Sequence, residues 1–187
     1  QREHILDVAL KLMSERGAAG MSMRQLASAC GVQVAAIYHY FDSKHALLAA
    51  VVEERRYGSR LADPLELDRS ADPEDRLRAL FGLVWDGALA EEEIWSLLLG
   101  EGIRGEEAVM GVGRDLLAMV RKAAQEWVSE VVPEAQPTEA VAELLVGQLL
   151  SGFVRRVFEP DSRDEAAAAR IGEQGADALV AAVFGTG

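Results

Sequence analysis

The chain is nearly devoid of cysteine: Cys30 stands alone among 187 residues. A lone thiol cannot close an internal disulfide, so burial must hold the fold, and such usage fits a reducing cytoplasm. No run of about 20 uncharged apolar residues occurs, which leaves no candidate for a membrane-spanning helix. Gln1 to Asp7 are charged and amphipathic, without the apolar stretch of a secretory signal. There is no sustained alternation of β-branched and polar residues, the mark of a strand, and no internal repeat. G-x-S-x-G, a phosphate loop and H-E-x-x-H are all missing. The acidic residues are scattered rather than set with the E-x-x-H spacing of a metal-binding helix pair. His39 and His45 have no third ligand nearby, so no metal site is expected. These absences argue against an enzyme and leave no cofactor to expect.

What is present describes a soluble, helical protein. Half of the residues are hydrophobic, at 50%, and mean hydropathy is close to zero. The length suffices for one large domain or two small ones with a proper core. The formal net charge is −12, but it is unevenly spread. Residues 1–60 carry eight Lys/Arg against six Asp/Glu, a net of +2, and the rest carries 11 against 25, a net of −14. All three histidines (His4, His39, His45) fall in the first part. A weakly basic segment on an acidic body permits contact with nucleic acid without demanding it.

Apolar spacing predicts helices throughout. The first runs from Arg2 to Arg16 with Ile5, Leu6, Ala9, Leu12 and Met13 on one face, and Gly17 stops it. Ser22 is placed to cap a second helix, Met23 to Cys30. A third runs from Val34 to Tyr40, and Asp42-Ser43 cap a fourth from Lys44 past Val52. Gly58 to Asp72 reads as a helix end plus a connection. Pro73 suits the first turn of the next helix, which carries Leu77, Phe81, Val84, Trp85 and Ala88. Further helices follow over Glu91 to Ile103, from Val109 to Val131, and from Val141 to Phe158. Pro133 and Pro137 bracket one break and Pro160 makes another, before a last helix from Asp164 to Phe184.

The informative stretch is Ser22 to Lys44, SMRQLASACGVQVAAIYHYFDSK. Ala27 is small where two short helices must cross, and Gly31 supplies the positive φ of a sharp turn. Leu26, Cys30, Val32, Ile37 and Phe41 are apolar where they would face a small core. This is the helix-turn-helix pattern, whose second helix enters the major groove. The segment GVQVAAIYHYFDSKHALL, and the chain over about residues 2–52, resembles the TetR family. The resemblance implies a homodimer that binds a palindromic operator on double-stranded DNA, represses transcription and is released by a small-molecule effector. The remaining two-thirds match in layout only.

Residue by residue, the resemblance makes Lys44 a phosphate contact, where an ammonium and free helix-start amides both suit an anion. Tyr38 and Tyr40 match aromatic positions that touch the sugar-phosphate backbone, with His39 outward between them. Ser22 and Arg24 open the second helix, and a guanidinium at 24 suits guanine. Val34, Ala35 and Ala36 start the recognition helix and offer only apolar readout. The family has Ser or Thr near Gln33; the glutamine is a poorer cap whose amide could read adenine. The family often carries a basic arm ahead of its first helix, and such an arm is expected before Gln1.

The expected fold is all-α, with a helix-turn-helix DNA-binding domain in residues 1–45 and a helical effector-binding and dimerisation domain in 46–187. Phe81, Trp85, Trp95, Met110, Met119, Trp127 and Phe153 are candidates to line a hydrophobic effector pocket, although core packing is the plainer role for each. Cys30 is expected in the core rather than as a redox sensor. Glu101 and Arg104 are expected as solvated charges. Small residues on the last two helices, Gly147, Ser151, Ile171, Gly175 and Ala178 among them, suggest close helix approach, which the family uses for its two-fold interface. Two alternatives stand beside the repressor: a regulator controlled by a protein partner, and an activator.

Overall fold

The computed structural model describes residues 1–54, 65–159 and 164–185, with the side chains of 16, 18, 19, 53, 54 and 108 left aside. Among the described residues all regular structure is helical. The helices are α1 (Arg2–Gly20), α2 (Met23–Ala29), α3 (Val34–Tyr40), α4 (Lys44–Glu54), α5 (Pro73–Leu89), α6 (Glu92–Ile103), α7 (Glu107–Val131), α8 (Thr138–Phe158) and α9 (Glu165–Phe184). Pro160 and the segment from Gly58 to Pro64, on which two expected breaks fall, lie outside the described residues.

Helix starts follow local chemistry. Pro73 opens α5 with Glu74 and Asp75 in its first turn, where a missing N–H is harmless and carboxylates complement the helix dipole. The Asp164 carboxylate caps α9, accepting from the Ala167 N–H at 2.6 Å.

Packing divides the chain into two compact units. The first comprises Gln1–Ala62 and Glu91–Ala118. Within it α1 packs against α2, α4 and α6, and Ile5, Leu6, Ala9, Leu10 and Met13 give it a fully buried face. The expected stop at Gly17 is a kink: its φ of 76° and ψ of 157° interrupt the helix before it continues to Gly20. Here the structure corrects one expectation. Glu101 is not a solvated charge but is buried, 2% exposed. Its Oε1 lies 2.6 Å from where a Cβ on Gly17 would stand, and it accepts from Arg104 Nη1 at 2.6 Å. A buried carboxylate needs such a partner, and only the absence of a side chain at 17 leaves room for it.

The second unit comprises Asp63–Ala90 and Met119–Gly187, in which α9 packs against α5 and α8. Its centre is Trp85, 2% exposed. The indole Nε1 donates to the Ala168 carbonyl at 3.0 Å, and Phe153 stacks at a tilt, 5.6 Å away. The ring is seated on glycines: a Cβ would stand 2.4 Å from it at Gly172 and 2.5 Å at Gly152. Phe81 meets Gly175 in the same way, at 2.8 Å. Gly175 and Ile171, expected at an interface between copies, are therefore buried inside one chain. Phe81, Trp85 and Phe153, offered as pocket lining, are close-packed core of this unit.

Arg76, which nothing in the sequence singled out, ties α5 to the end of α7. Its guanidinium donates to the carbonyls of Ala71 at 3.0 Å and Val131 at 2.5 Å, and to Glu134 Oε1 at 2.6 Å. That bond holds the Glu134 carboxyl below the usual carboxylate range.

Seating an indole on glycine has a measurable consequence. Gly172→Ala is expected to destabilise the protein by about 1–3 kcal/mol through overpacking. Gly82→Ala, mid-helix in α5 with nothing within 4 Å of the added carbon, is expected to stabilise it by about 0.5–1 kcal/mol. Urea denaturation of the two variants separates these signs.

Candidate nucleic-acid interface

The helix-turn-helix is assembled from caps. The Ser22 Oγ accepts from the Gln25 N–H at 3.2 Å, and the Ser22 N–H donates to Gln25 Oε1 at 2.8 Å. This is a full capping box, and the Ser-x-x-Gln spacing is its signal in the sequence. At the other end of α2 the Val32 N–H reaches the Ala27 carbonyl at 3.0 Å and the Gly31 N–H reaches Ser28 at 3.2 Å. These bonds form a Schellman motif with Gly31 at φ 68°. The chain is thereby reversed in three residues and delivered to α3.

Burial then sorts α3 into two faces. Ile37 is 0% and the following Phe41 3% exposed, with the Arg2 guanidinium 5.7 Å over the Phe41 ring. Ala35, Tyr38, His39 and Tyr40 are exposed, while Val34 and Ala36 are half-buried. Tyr38 is 48% and Tyr40 39% exposed. His39 meets Tyr40 edge to face, with centroids 5.2 Å apart. Gln33 occupies the N-cap position of α3 without a side-chain capping bond, so its amide is not spent on the helix start. Ser22 and Arg24 are exposed on the first turn of α2. Cys30 and Val32, expected in the core, are half-buried at the turn. Burial pushes the Cys30 thiol up, which disfavours the reactive thiolate.

Ser43 opens α4 by accepting from the Ala46 N–H at 3.0 Å. Lys44 follows, half-buried, with its Nζ 3.9 Å from Glu106 Oε1. The first unit thus exposes Tyr, His, Gln and Arg side chains on and beside two short helices, with a half-buried lysine at the start of a third. Such a set suits phosphates and base edges rather than a catalysed reaction.

The model of bacterial regulatory proteins of the tetR family matches residues 5–51, which span this assembly. The N-terminal segment is a DNA-binding module of the TetR family. The relatives matched through it are regulators of transcription. The HTH-type transcriptional repressor NicS of Pseudomonas putida is 33% identical over 103 residues, 54% of this chain and 48% of that protein. The HTH-type transcriptional regulator AcrR of Shigella flexneri is 37% identical over 97 residues, 49% of this chain and 43% of that protein. The chain spans about half the length of the curated relatives it matches. Beyond the module the likeness is one of fold. The regulator FadR from Bacillus subtilis, solved in complex with stearoyl-CoA, superposes with a TM-score of 0.66 over 100% of both chains at 15% identity.

The other candidate residues are dispersed. Trp95 is half-buried and Met110 46% exposed, both in the first unit. Met119 is 41% exposed and Trp127 is buried, both in the second. Gly147, Ser151 and Ala178 are exposed. Among the described residues no helix is long and apolar enough to cross a membrane.

A positive φ at residue 31 with open space around it isolates the backbone term. Gly31→Ala is expected to cost about 1–2 kcal/mol from left-handed strain alone, and Gly31→Asn less, because asparagine tolerates that region. Thermal melts of the two variants rank them.

Proposed function

We propose that the chain is a repressor that binds a palindromic operator as a homodimer and is released by a small hydrophobic effector. Residues 1–45 contact DNA, and residues 46–187 take the effector and dimerise. The observation that carries the reading is the exposure of Tyr38, His39 and Tyr40 on α3, with Lys44 following at the start of α4. α3 enters the major groove, with Ala35 and Val34 on thymine methyls or groove shape. Tyr38, Tyr40 and Lys44 hold phosphates, and Arg24 and Gln33 are the hydrogen-bonding readers.

Dimerisation is supported by an apolar seam on α8. Leu144, Gly147, Ser151, Val154 and Phe158 recur at alternating spacings of three and four residues. All are exposed in the single chain, Phe158 at 80%. Such a stripe suits a facing helix of a second copy, with Ala178 of α9 beside it. Two copies supply two recognition helices about one DNA turn apart, which gives an affinity that one short helix lacks. The effector reading draws on the neighbour bound to stearoyl-CoA, and the repressor reading on the P. putida relative, a transcriptional repressor. A regulator without an effector, answering to a protein partner, is the second reading. The close packing of Phe81, Trp85 and Phe153 favours it, and a ligand-dependent rise in melting temperature decides between the two.

Selection from random duplexes tests the DNA reading. Wild type is expected to enrich one palindrome, and Lys44→Ala with Tyr38→Ala to lose it. No enrichment at low salt by a confirmed dimer removes the reading. For the interface, sedimentation is expected to show a dimer for wild type and a monomer for Val154→Glu with Phe158→Glu. A dimer that survives both charges places the contact elsewhere.

A further inference from the structure

Lys44 does not face solvent alone. Its Nζ is 3.9 Å from Glu106 Oε1, with the two side chains only 23% and 29% exposed. Partial burial leaves this attraction less screened than that of a surface pair. Glu106 is held in place by its backbone. Its N–H reaches the Glu101 carbonyl at 3.1 Å, while the Gly105 N–H reaches Gly102 at 3.0 Å. With Gly105 at φ 74°, this is a second Schellman motif, and it closes α6 and starts α7. The neighbouring residue of α4 is seated on the same helix: a Cβ on Gly111 would stand 2.9 Å from His45 Cε1. The first turn of α4 therefore rests on the first turns of α7 through one charged and one steric contact.

We propose that Glu106 is a built-in competitor for DNA phosphate at Lys44, so that the turn between α6 and α7 sets the affinity of the DNA module. A carboxylate and a phosphate oxygen seek the same ammonium. A phosphate that takes Lys44 must either displace Glu106 or sit close to its like charge. With the carboxylate in place, the lysine neutralises little of the DNA charge. Any displacement of the α6–α7 turn away from α4 frees it. The proposal rests on the reading of Lys44 as a phosphate contact and adds to it the group that opposes that contact.

The test measures binding of the full chain to a fluorescent 30-base-pair duplex of mixed sequence by anisotropy, across a salt series, for wild type, Glu106→Gln, Lys44→Gln and the double variant. Glutamine keeps the shape of residue 106, and circular dichroism with melting checks the fold. Glu106→Gln is expected to bind about three- to tenfold more tightly at low salt, in the range a partly exposed ion pair allows at two half-sites. It is also expected to steepen the salt dependence by about one unit of slope per half-site, as one more lysine counts against phosphate. In the Lys44→Gln background the same change is expected to do nothing. If Glu106→Gln leaves affinity unchanged while Lys44→Gln weakens it, the phosphate contact stands and the competitor is overturned. A gain of equal size with and without Lys44 is a general charge effect and also overturns it. If Lys44→Gln itself changes nothing, the phosphate contact fails and the proposal falls with it.

Discussion

A helix of seven residues cannot hold its shape in water on its own, and the DNA module hangs on one that must. α3 exists because Ile37 and Phe41 are buried in the small core of the first unit. Once those two side chains point inward, the helical period leaves no choice for Ala35, Tyr38, His39 and Tyr40, which turn outward. The angle at which α3 leaves α2 is set by the Gly31 turn, and the start of α2 is fixed by the Ser22–Gln25 box. Anchoring, turn and cap together make a rigid presenter out of two helices that would each melt alone.

The second unit solves a different problem, how to bring helices close around a large ring. Glycines at 152, 172 and 175 remove the side chains that would stand in the way of Trp85 and Phe81, and the one polar atom of the indole is satisfied by the Ala168 carbonyl. An indole filled in this way contributes dispersion on both faces. The small residues of α8 and α9 consequently fall into two groups. Some admit a ring from within the chain, and others, such as Gly147 and Ser151, remain on the surface of α8.

The charge distribution matters locally more than in total. A net charge of −12 looks unfavourable for DNA, yet beyond about a Debye length its effect is screened. What the lysine at the start of α4 meets, among the described residues, is the Glu106 carboxylate at 3.9 Å. Glu101 shows the same principle inside the protein, where one carboxylate is kept under the α1 kink by one arginine and one missing side chain.

Much of this was legible in the chain itself. Helix positions followed from period and caps, with α3 expected and found over the same seven residues, because those signals act within a few positions of each other. The outward face of α3 was legible for the same reason. Residues far apart in sequence were not. Arg76 reaches Glu134, Trp85 finds two glycines, and Lys44 finds Glu106, each across more than fifty residues, and no local pattern encodes such a meeting. A small residue in a helix signals that something comes close, but not whether that something belongs to the same chain, which is why Gly175 and Gly147 looked alike. Most helix positions, the caps and the kind of DNA module could be read from the chain, because they rest on hydrogen bonds, period and motif within a few residues. Which charges are buried, which glycines are filled and which anion faces Lys44 emerge only on packing, because burial and pairing are properties of surfaces that exist only after the helices have met.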